Sequence, residues 1–265
     1  MPKAEVNGIK LYYEVHGRGE PLMLVSGIGY GGWVWYKQVP ALSERFRVIL
    51  IDNRGAGQSD KPDEPYTVEI FAADTVGLLD ALQVEQAHVL GASLGGMIVL
   101  QLALDHPQRV DHLLLCSTAF GGPNTVLPEP EVLQFMTQLS GTAEERFQKG
   151  LELSFGPGFI EAHPEDTAFI RQKMAENRQP DYAYRRQVMA PLGFNVEARL
   201  AEIEHPTLVL AGEADRVVPV ENARRLTRRI PHAHLQIFAG AGHLCFIEQP
   251  EAFNRAVLDF LGGTR

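Results

Sequence analysis

The sequence predicts an α/β protein with a mostly parallel, doubly wound sheet and an inserted helical cap. Three observations predict this architecture. Short apolar runs alternate with helical patterns, one such run passes into a helix through residues 91–95, and residues 120–199 contain helical patterns without a good buried strand. Strands that alternate with helices pair in parallel. We therefore expect a core of residues 1–119 and 200–265 and a cap of residues 120–199.

The first half of the chain alternates regularly between predicted strands and helices. Asn7-Gly8 is a type I′ turn signal, so residues 5–15 should form a β-hairpin. Apolar runs then predict strands at residues 22–25, 47–51, 87–90 and 110–116. Apolar residues at helical spacing predict helices at residues 33–42, 67–82 and 96–104, the first bent or broken at Pro40 and the second capped near Thr67.

The second half contains a long helical region before the strands resume. Its predicted helices are residues 130–139, 143–154, 165–177 and 182–189. The remaining core elements are strands at residues 207–211 and 234–238 and a closing helix at residues 251–261. A crossover between parallel strands needs only about a dozen residues. We therefore interpret the helical region as a cap rather than as further crossover helices.

The composition is that of an ordinary soluble globular protein, and it limits the possible partners. The 265 residues are 45% apolar and 22% charged, and the formal net charge is −9. Because nucleic-acid-binding surfaces are basic, we expect no nucleic-acid partner. The first residues lack a signal-peptide pattern, and no apolar run is long enough to span a bilayer. We therefore expect a cytoplasmic protein with no membrane partner.

The two cysteines, Cys116 and Cys245, are far apart and have no metal-ligand spacing. Cys116 ends an apolar run, where buried free cysteine is common. A disulfide between them is the less favoured alternative. We predict no metal site.

Residues 91–95, Gly-Ala-Ser-Leu-Gly, predict a strained turn with an exposed serine. A chain that passes from strand to helix in so few residues pushes its central side chain outward, and the flanking glycines leave room for the turn. Ser93 would then lie at a helix N-terminus, whose free N–H groups favour an oxyanion. Such a motif also occurs by chance in glycine-rich loops, but the strand before it and the helix after it favour a nucleophile.

A serine nucleophile needs a base, and the base needs a group that orients it. The carboxyl ends of parallel strands meet at one edge of the sheet, so both should follow strands. Among nine histidines, His243 is favoured because a loop of small residues after the last strand leads to it. Glu213 and Asp215 both follow residues 207–211. We select Asp215, which lies farther beyond the strand, over Glu213; a helix-capping role for Asp215 is the alternative.

The order Ser93, Asp215, His243, with the turn before them and the cap before the acid, resembles the α/β-hydrolase fold family. Residues 52–60, Asp-Asn-Arg-Gly-Ala-Gly-Gln-Ser-Asp, look like the D-x-R-G-x-G-x-S-D loop of its capped members. The resemblance covers nearly the whole chain and is nearest to esterases and lactonases similar to 3-oxoadipate enol-lactonase. It implies a serine hydrolase that cleaves carboxylic esters or lactones through an acyl-enzyme, without a metal or organic cofactor.

The resemblance also implies two backbone donors for the oxyanion. They are the N–H of Leu94, directly after the nucleophile, and the N–H of Ile28, in the glycine-rich loop after residues 22–25. Many family members begin this loop with His-Gly, whereas this chain has Ser26-Gly27. Because the donors belong to the backbone, the change should preserve the oxyanion hole while altering what holds the loop.

Aromatic residues suggest an apolar pocket for the substrate. Tyr30, Trp33 and Trp35 follow the oxyanion loop and are predicted to bind substrate. Further candidates in the cap, which are more often core residues, are Phe135, Met136, Phe155, Phe159, Tyr182 and Met189. Arg185 or Arg186 could supply a polar contact, although both could equally be solvated.

Other functions are compatible with the same residues. Within enzymes, the triad could serve a perhydrolase, a thioesterase or a carbon–carbon bond hydrolase. From a different class, the protein could be a small-molecule receptor with little turnover. A serine nucleophile argues against similarity to haloalkane dehalogenases and epoxide hydrolases, which use aspartate at this position.

Overall fold

The computed structural model describes residues 2–138 and 140–263, and its centre is an eight-stranded sheet. The strands are β1 (Lys3–Val6), β2 (Ile9–His16), β3 (Glu20–Val25), β4 (Phe46–Ile51), β5 (Ala87–Ala92), β6 (Val110–Cys116), β7 (Thr207–Gly212) and β8 (Ala233–Phe238). Their order is β1-β2-β4-β3-β5-β6-β7-β8. Only the pairs β1–β2 and β2–β4 of this sheet are antiparallel. The predicted fold class is confirmed.

Helices connect the strands and cover the sheet. They are α1 (Val39–Leu42), α2 (Val68–Ala81), α3 (Leu94–Asp105), α4 (Pro130–Thr137), α5 (Ala143–Ser154), α6 (Phe159–Ala162), α7 (Pro164–Glu176), α8 (Asp181–Met189), α9 (Glu221–Arg229), α10 (Cys245–Glu248) and α11 (Pro250–Gly262). Short 3₁₀ segments occur at Gly32–Trp35, Pro107–Arg109 and Glu197–Glu202. None of the helices within residues 2–138 and 140–263 has the length and apolar character needed to cross a membrane.

Successive residues of the central strands point into two different apolar cores. In β3, Met23 and Val25 pack in one core together with residues of α2 and α3. Leu22 and Leu24 pack in the other, together with residues of α1 and α11. Side chains alternate between the two faces of a strand, so covering both faces requires a continuous apolar run. This requirement explains why the strands could be predicted from the sequence.

Two local predictions from the first half of the chain are confirmed. Asn7 and Gly8 have φ of 49° and 79°, and they join β1 to β2 with Val6 paired to Ile9. The Thr67 side chain accepts a hydrogen bond from the N–H of Ile70 at 3.3 Å and caps α2. Both features depend on neighbours in sequence, so local pattern is sufficient to predict them.

The single helix predicted for residues 33–42 is wrong. The chain forms the 3₁₀ segment Gly32–Trp35 and then the separate helix α1. Pro40 lies in the first turn of α1, where a residue without an N–H costs no helical hydrogen bond. The helix therefore begins at Val39, one residue before the proline, and the chain is broken ahead of Pro40 rather than bent at it.

Five helices, α4 to α8, lie between β6 and β7. In the described part of this region the only extended pairing is an isolated bridge between Gly121 and Asn195. The predicted helix at residues 143–154 has the observed bounds of α5, and the others differ by a few residues at their ends. Residue 139, the predicted end of α4, lies outside the described residues. We call residues 120–199 the cap segment, and its boundaries stay a prediction.

Cys116 and Cys245 are both buried free thiols. Their sulfur atoms lie 3.7 Å apart, beyond the length of a disulfide bond. Burial raises the pKa of the Cys245 thiol well above its ordinary value. The expectation of free cysteines agrees with this geometry.

Candidate active site

Ser93 lies in a strained turn between β5 and α3. Its φ and ψ are 56° and −120°, and positive φ is uncommon for a residue with a side chain. Four hydrogen bonds hold the backbone in this conformation, one of them from the Met97 N–H to the Ser93 carbonyl at 3.3 Å. The Ser93 N–H donates to the Cys116 carbonyl at 2.9 Å, and its carbonyl accepts from the Gly96 N–H at 2.9 Å and from Thr118 Oγ1 at 2.7 Å. The first turn of α3 and the residues at the end of β6 thus maintain the strain at Ser93.

Two glycines allow this turn to pack closely. A Cβ at Gly91 would lie 2.1 Å from the Gly95 carbonyl oxygen, and one at Gly95 would lie 2.1 Å from the Val25 carbonyl oxygen. The start of α3 therefore lies directly against the end of β3. The loop after β3 is consequently next to the serine: a Cβ at Gly27 would lie 3.4 Å from Ser93 Oγ.

His243 and Asp215 form a buried hydrogen bond at the same edge of the sheet. His243 Nδ1 lies 2.9 Å from Asp215 Oδ2. The other carboxylate oxygen, Oδ1, accepts from the N–H groups of Val217 and Val218 at 2.9 and 2.8 Å. The three donors orient the carboxylate. Because a carboxylate accepts, His243 Nδ1 donates, which leaves Nε2 as an acceptor.

Glu213, the competing carboxylate, lies elsewhere. Its side chain is exposed and accepts a hydrogen bond from the Gly240 N–H at 3.2 Å. Two more residues of chain carry Asp215 past the strand end to His243, as expected from its position.

Ser93 and His243 line one cavity of about 700 Å³. This volume lies within the range of small-molecule sites. Ile28, Tyr30 and Trp33 also line it, and the rings of Tyr30 and Trp33 pack edge-to-face with centroids 5.6 Å apart. The cavity therefore brings together the candidate nucleophile, the candidate base, the loop after β3 and two of the three predicted substrate-binding aromatic residues.

The structure contradicts the substrate-binding role predicted for Trp35. Its side chain is fully buried, and its ring packs on Phe246 with centroids 4.5 Å apart. Residues of a 3₁₀ segment are about 120° apart around its axis. Trp33 and Trp35, two positions apart in that segment, therefore point in different directions, one to the cavity and one to the core.

Only some of the cap residues suggested by the sequence line the cavity. Phe135 and Met136 do so. Phe155 and Phe159 instead stack on each other in the core, with centroids 4.6 Å apart. Other suggested residues lie on the outside: Tyr182 donates to the Lys61 carbonyl, Met189 is exposed, and Arg186 pairs with Asp63. Cap residues of the wall not singled out from the sequence include Phe147, Met174 and Tyr184.

The loop after β3, which carries the candidate oxyanion donor Ile28, is held by residues near it in space. Ser26 Oγ donates to the Tyr30 carbonyl at 2.9 Å, and the Asn53 amide donates to the Ser26 carbonyl at 2.9 Å. Ser26 is fully buried, so its short side chain closes the loop internally. Leu94 is the first residue of α3, and the first N–H groups of a helix lack an intrahelical acceptor.

Glu248 holds the loop that carries His243. Its Oε1 accepts from the Gly242 N–H at 2.7 Å, and its Oε2 accepts from the Gly156 N–H at 2.9 Å. Burial raises the pKa of the Glu248 carboxyl, and the two N–H donors oppose this shift. Glu248 therefore joins the loop before His243 to the cap segment. The sequence offered one signal for it, an acid on the helix directly after the histidine.

Replacing Glu248 by alanine should leave the N–H groups of Gly242 and Gly156 without their acceptor. Each buried unsatisfied donor costs about 1–3 kcal/mol, so the free energy of unfolding should fall by at least about 1 kcal/mol. Urea unfolding measures this. Glu213→Ala is the matched control, because its carboxylate also accepts from a glycine N–H of the same loop but is exposed. Equal stability losses in the two variants would contradict the role of Glu248.

Two groups of side chains among the described residues have metal-ligand chemistry, and neither lines the cavity that Ser93 lines. One comprises His88, Asp111 and His112, where β5 and β6 begin. The other comprises His163, Glu165 and Asp166 in the cap segment, where Asp166 already accepts from Tyr36 and Lys37. Within the described residues, neither group includes a candidate catalytic residue.

Comparisons with known proteins extend over nearly the whole chain. A family model described as alpha/beta hydrolase fold matches residues 20–250. The chain is 35% identical over 278 aligned residues to RutD of Caulobacter sp. strain K31, named as a candidate carbamate hydrolase, with 99% of each protein covered. It is 31% identical to 3-oxoadipate enol-lactonase 2 of Acinetobacter baylyi strain ADP1, over 94% of this chain and 92% of that protein.

A solved structure agrees with these matches. The enol-lactonase from Burkholderia xenovorans LB400 superposes with a TM-score of 0.87 and 30% identity, covering 98% of this chain and 100% of that one. The resemblance inferred from the motifs is confirmed, and the relatives support hydrolase activity. The chain belongs to the alpha/beta hydrolase fold family.

Proposed function

We propose that the protein is a serine hydrolase of carboxylic esters or lactones. Ser93 is the nucleophile, His243 the general base and Asp215 the residue that orients the base. The observation that carries the proposal is the 2.9 Å hydrogen bond from His243 Nδ1 to Asp215 Oδ2, beside a cavity that both Ser93 and His243 line. The strained conformation of Ser93 supports it, because such strain persists where function requires it.

In the first step, Ser93 Oγ attacks the carbonyl carbon of the substrate while His243 Nε2 takes its proton. Asp215 accepts the hydrogen bond from Nδ1, so it selects the tautomer with a free Nε2 and stabilises the imidazolium. The negative charge that develops on the carbonyl oxygen is received by the N–H groups of Leu94 and Ile28. The N-terminus of α3 adds the favourable end of its dipole.

In the second step, the bond to the leaving oxygen breaks and His243 returns the proton to it. An ester then releases an alcohol, whereas a lactone opens and its hydroxyl remains attached to the acyl group. Water, activated by His243, attacks the acyl-enzyme and releases the acid. These bond-forming and bond-breaking steps need no metal and no organic cofactor.

The similarity to enol-lactonases supports a cyclic or linear ester as the substrate. The cavity wall around Ser93 includes Trp33, Phe135 and Met136, which favour an apolar group on the substrate. A carbamate is a second candidate, because the relative from Caulobacter sp. is named for carbamate hydrolysis. The same attack on a carbamate carbonyl would give a carbamoyl-enzyme.

Hydrolysis of p-nitrophenyl esters from acetate to laurate, together with a lactone series and a p-nitrophenyl carbamate, tests the proposal. We expect many turnovers per protein and a maximum at one acyl length, because the cavity limits the chain that fits. A maximum kcat/KM for the carbamate would favour the second candidate. A single turnover at most with every substrate would contradict the hydrolase proposal and favour a receptor.

A further inference from the structure

We infer that Gln187, on α8 of the cap segment, is a positioning residue for the oxyanion hole. It holds the turn that carries the N–H of Ile28 and thereby makes part of the transition-state stabilisation depend on the cap segment. The inference rests on the proposed function, in which Ile28 is an oxyanion donor. Neither Ile28 nor Gly29 is near Gln187 in sequence, so the relationship is a product of the fold.

Gln187 is fully buried and its side-chain amide forms three hydrogen bonds. Oε1 accepts from the Gly29 N–H at 2.9 Å and from Gln179 Nε2 at 3.0 Å. Nε2 donates to the Arg54 carbonyl at 2.9 Å. A backbone donor faces one end of the amide and a backbone acceptor faces the other, so only one orientation of the amide satisfies both.

The turn that Gln187 contacts spans Gly27 to Tyr30. The Tyr30 N–H donates to the Gly27 carbonyl at 3.4 Å, and Gly29 has φ of 79°. Because Ile28 is not among the residues with positive φ, this is the pattern of a type II turn. A type II turn differs from a type I turn mainly in the direction of its central peptide, here the one between Ile28 and Gly29.

The N–H of that central peptide is the group that Gln187 holds. Reversal of the peptide would break this hydrogen bond and change ψ of Ile28 and φ of Gly29. Gln187 therefore selects one of two neighbouring turn conformations. Since the Ile28 N–H lies in the preceding peptide of the same turn, its position relative to Ser93 depends on which conformation the turn adopts.

The glutamine also joins two loops that follow neighbouring strands. Gly29 follows β3, and Arg54 follows β4. Gln179 extends the connection, because its amide donates to the Gly55 carbonyl at 2.7 Å as well as to Gln187. An apolar replacement for Gln187 would remove the partner of the half-buried Gly29 N–H and leave the buried Arg54 carbonyl without this donor. Losing both hydrogen bonds is costly and favours rearrangement of the turn.

The expected consequence is specific to the transition state. The oxyanion forms only as the carbonyl carbon is attacked, so a displaced Ile28 N–H should lower kcat and leave KM largely unchanged. Loss of a complete oxyanion donor lowers kcat by about 10²–10³-fold. A displaced donor keeps part of its stabilising effect, so we expect kcat of Gln187→Leu to fall by about tenfold. Binding of a trifluoromethyl ketone, which forms an oxyanion on Ser93, should weaken by a similar factor.

Gln187→Glu provides the sharper test, because its effect should depend on pH. A protonated carboxyl can accept from the Gly29 N–H and donate to the Arg54 carbonyl, as the amide does. An ionised carboxylate has no proton to donate to the Arg54 carbonyl, and its negative charge would repel the carbonyl oxygen. Buried carboxyl groups bind their proton above their ordinary pKa, so the ratio of variant to wild-type kcat should rise as pH falls from about 8 to about 5. Taking the ratio removes any pH dependence that the variant and the wild type share.

Asn222 is the matched control. It is also fully buried, and its amide donates to the Val126 carbonyl and accepts from the Val126 N–H, both at 2.8 Å. Asn222→Leu and Asn222→Asp remove the same kind of amide from a different segment. Both variants should lower stability. Their kcat should stay within about twofold of the wild-type value at each pH from about 8 to about 5, because no reacting group is displaced.

The outcomes separate the inference from the function on which it rests. Turnover that does not require Ser93 overturns both. If turnover requires Ser93 but kcat of Gln187→Leu is no lower than kcat of Asn222→Leu, only the inference is overturned. The same holds if Gln187→Leu changes KM and leaves kcat unchanged. If Gln187→Leu does not fold, Gln187→Glu decides: a ratio independent of pH overturns the inference, and a ratio that rises toward acid supports it.

Discussion

Replacing Ser93 by alanine should lower kcat for ester hydrolysis by about 10⁶-fold, because nucleophile and base act as a unit and loss of either removes the covalent route. The fold should be preserved. Alanine and serine both carry a Cβ, so the substitution does not add to the strain at φ of 56°. Steady-state hydrolysis of the best p-nitrophenyl ester measures the loss. A fluorophosphonate that labels the wild-type serine should leave the variant unmodified.

Ser117 is the matched control for Ser93. It is buried directly after β6 and also has positive φ, 45°. Ser117→Ala changes the same atom in the same kind of backbone, so it should keep most of the activity and the fluorophosphonate labelling. If Ser93→Ala retained labelling, or if the two variants lost equal activity, the assignment of Ser93 as nucleophile would be wrong.

The change of Asp215 to asparagine should have the second largest effect, a loss of about 10⁴-fold in kcat. The structure indicates why. Oδ1 of Asp215 already accepts from the N–H groups of Val217 and Val218. The asparagine oxygen would take that place, and its NH₂ would face His243 Nδ1. His243 would then carry its proton on Nε2 and could not accept one from Ser93.

The measurement is kcat at a pH where the wild type is fully active, with the unfolding temperature as a check on folding. Glu213→Gln makes the same change in the exposed carboxylate that follows the same strand, and it should leave kcat within about twofold of wild type because Glu213 contacts neither Ser93 nor His243. A loss for Asp215→Asn no larger than that of Glu213→Gln would contradict an orienting role for Asp215.

Local sequence pattern was sufficient for most of the sheet and for the candidate catalytic residues. Continuous apolar runs predicted the buried strands because both faces of the sheet are covered. Asn7-Gly8 predicted a hairpin because a type I′ turn needs positive φ at two consecutive residues, which asparagine and glycine adopt more readily than most residues. Ser93, Asp215 and His243 follow three different strands, and the rule that parallel strands end at one edge was enough to expect Asp215 and His243 to meet.

Sequence pattern failed where two residues of the same type have different surroundings. Trp33 and Trp35 both follow the loop after β3, but a 3₁₀ segment turns one to the cavity and the other to the core. In the cap segment, Phe135 lines the cavity while Phe155 packs in the core. Core and pocket favour the same apolar side chains, so composition and spacing do not separate them.

Sequence pattern alone predicts the α/β sheet, the strained turn at Ser93 and the candidate acid and base, because each depends on neighbours along the chain or on one topological rule. The residues that support them can be identified only in the folded protein. Gln187 and Glu248 accept hydrogen bonds from the N–H groups of Gly29 and Gly156, and a peptide N–H has no side chain to identify it in the sequence. Such contacts are specified by the packing of the cap segment on the strand-end loops, which exists only after the chain has folded.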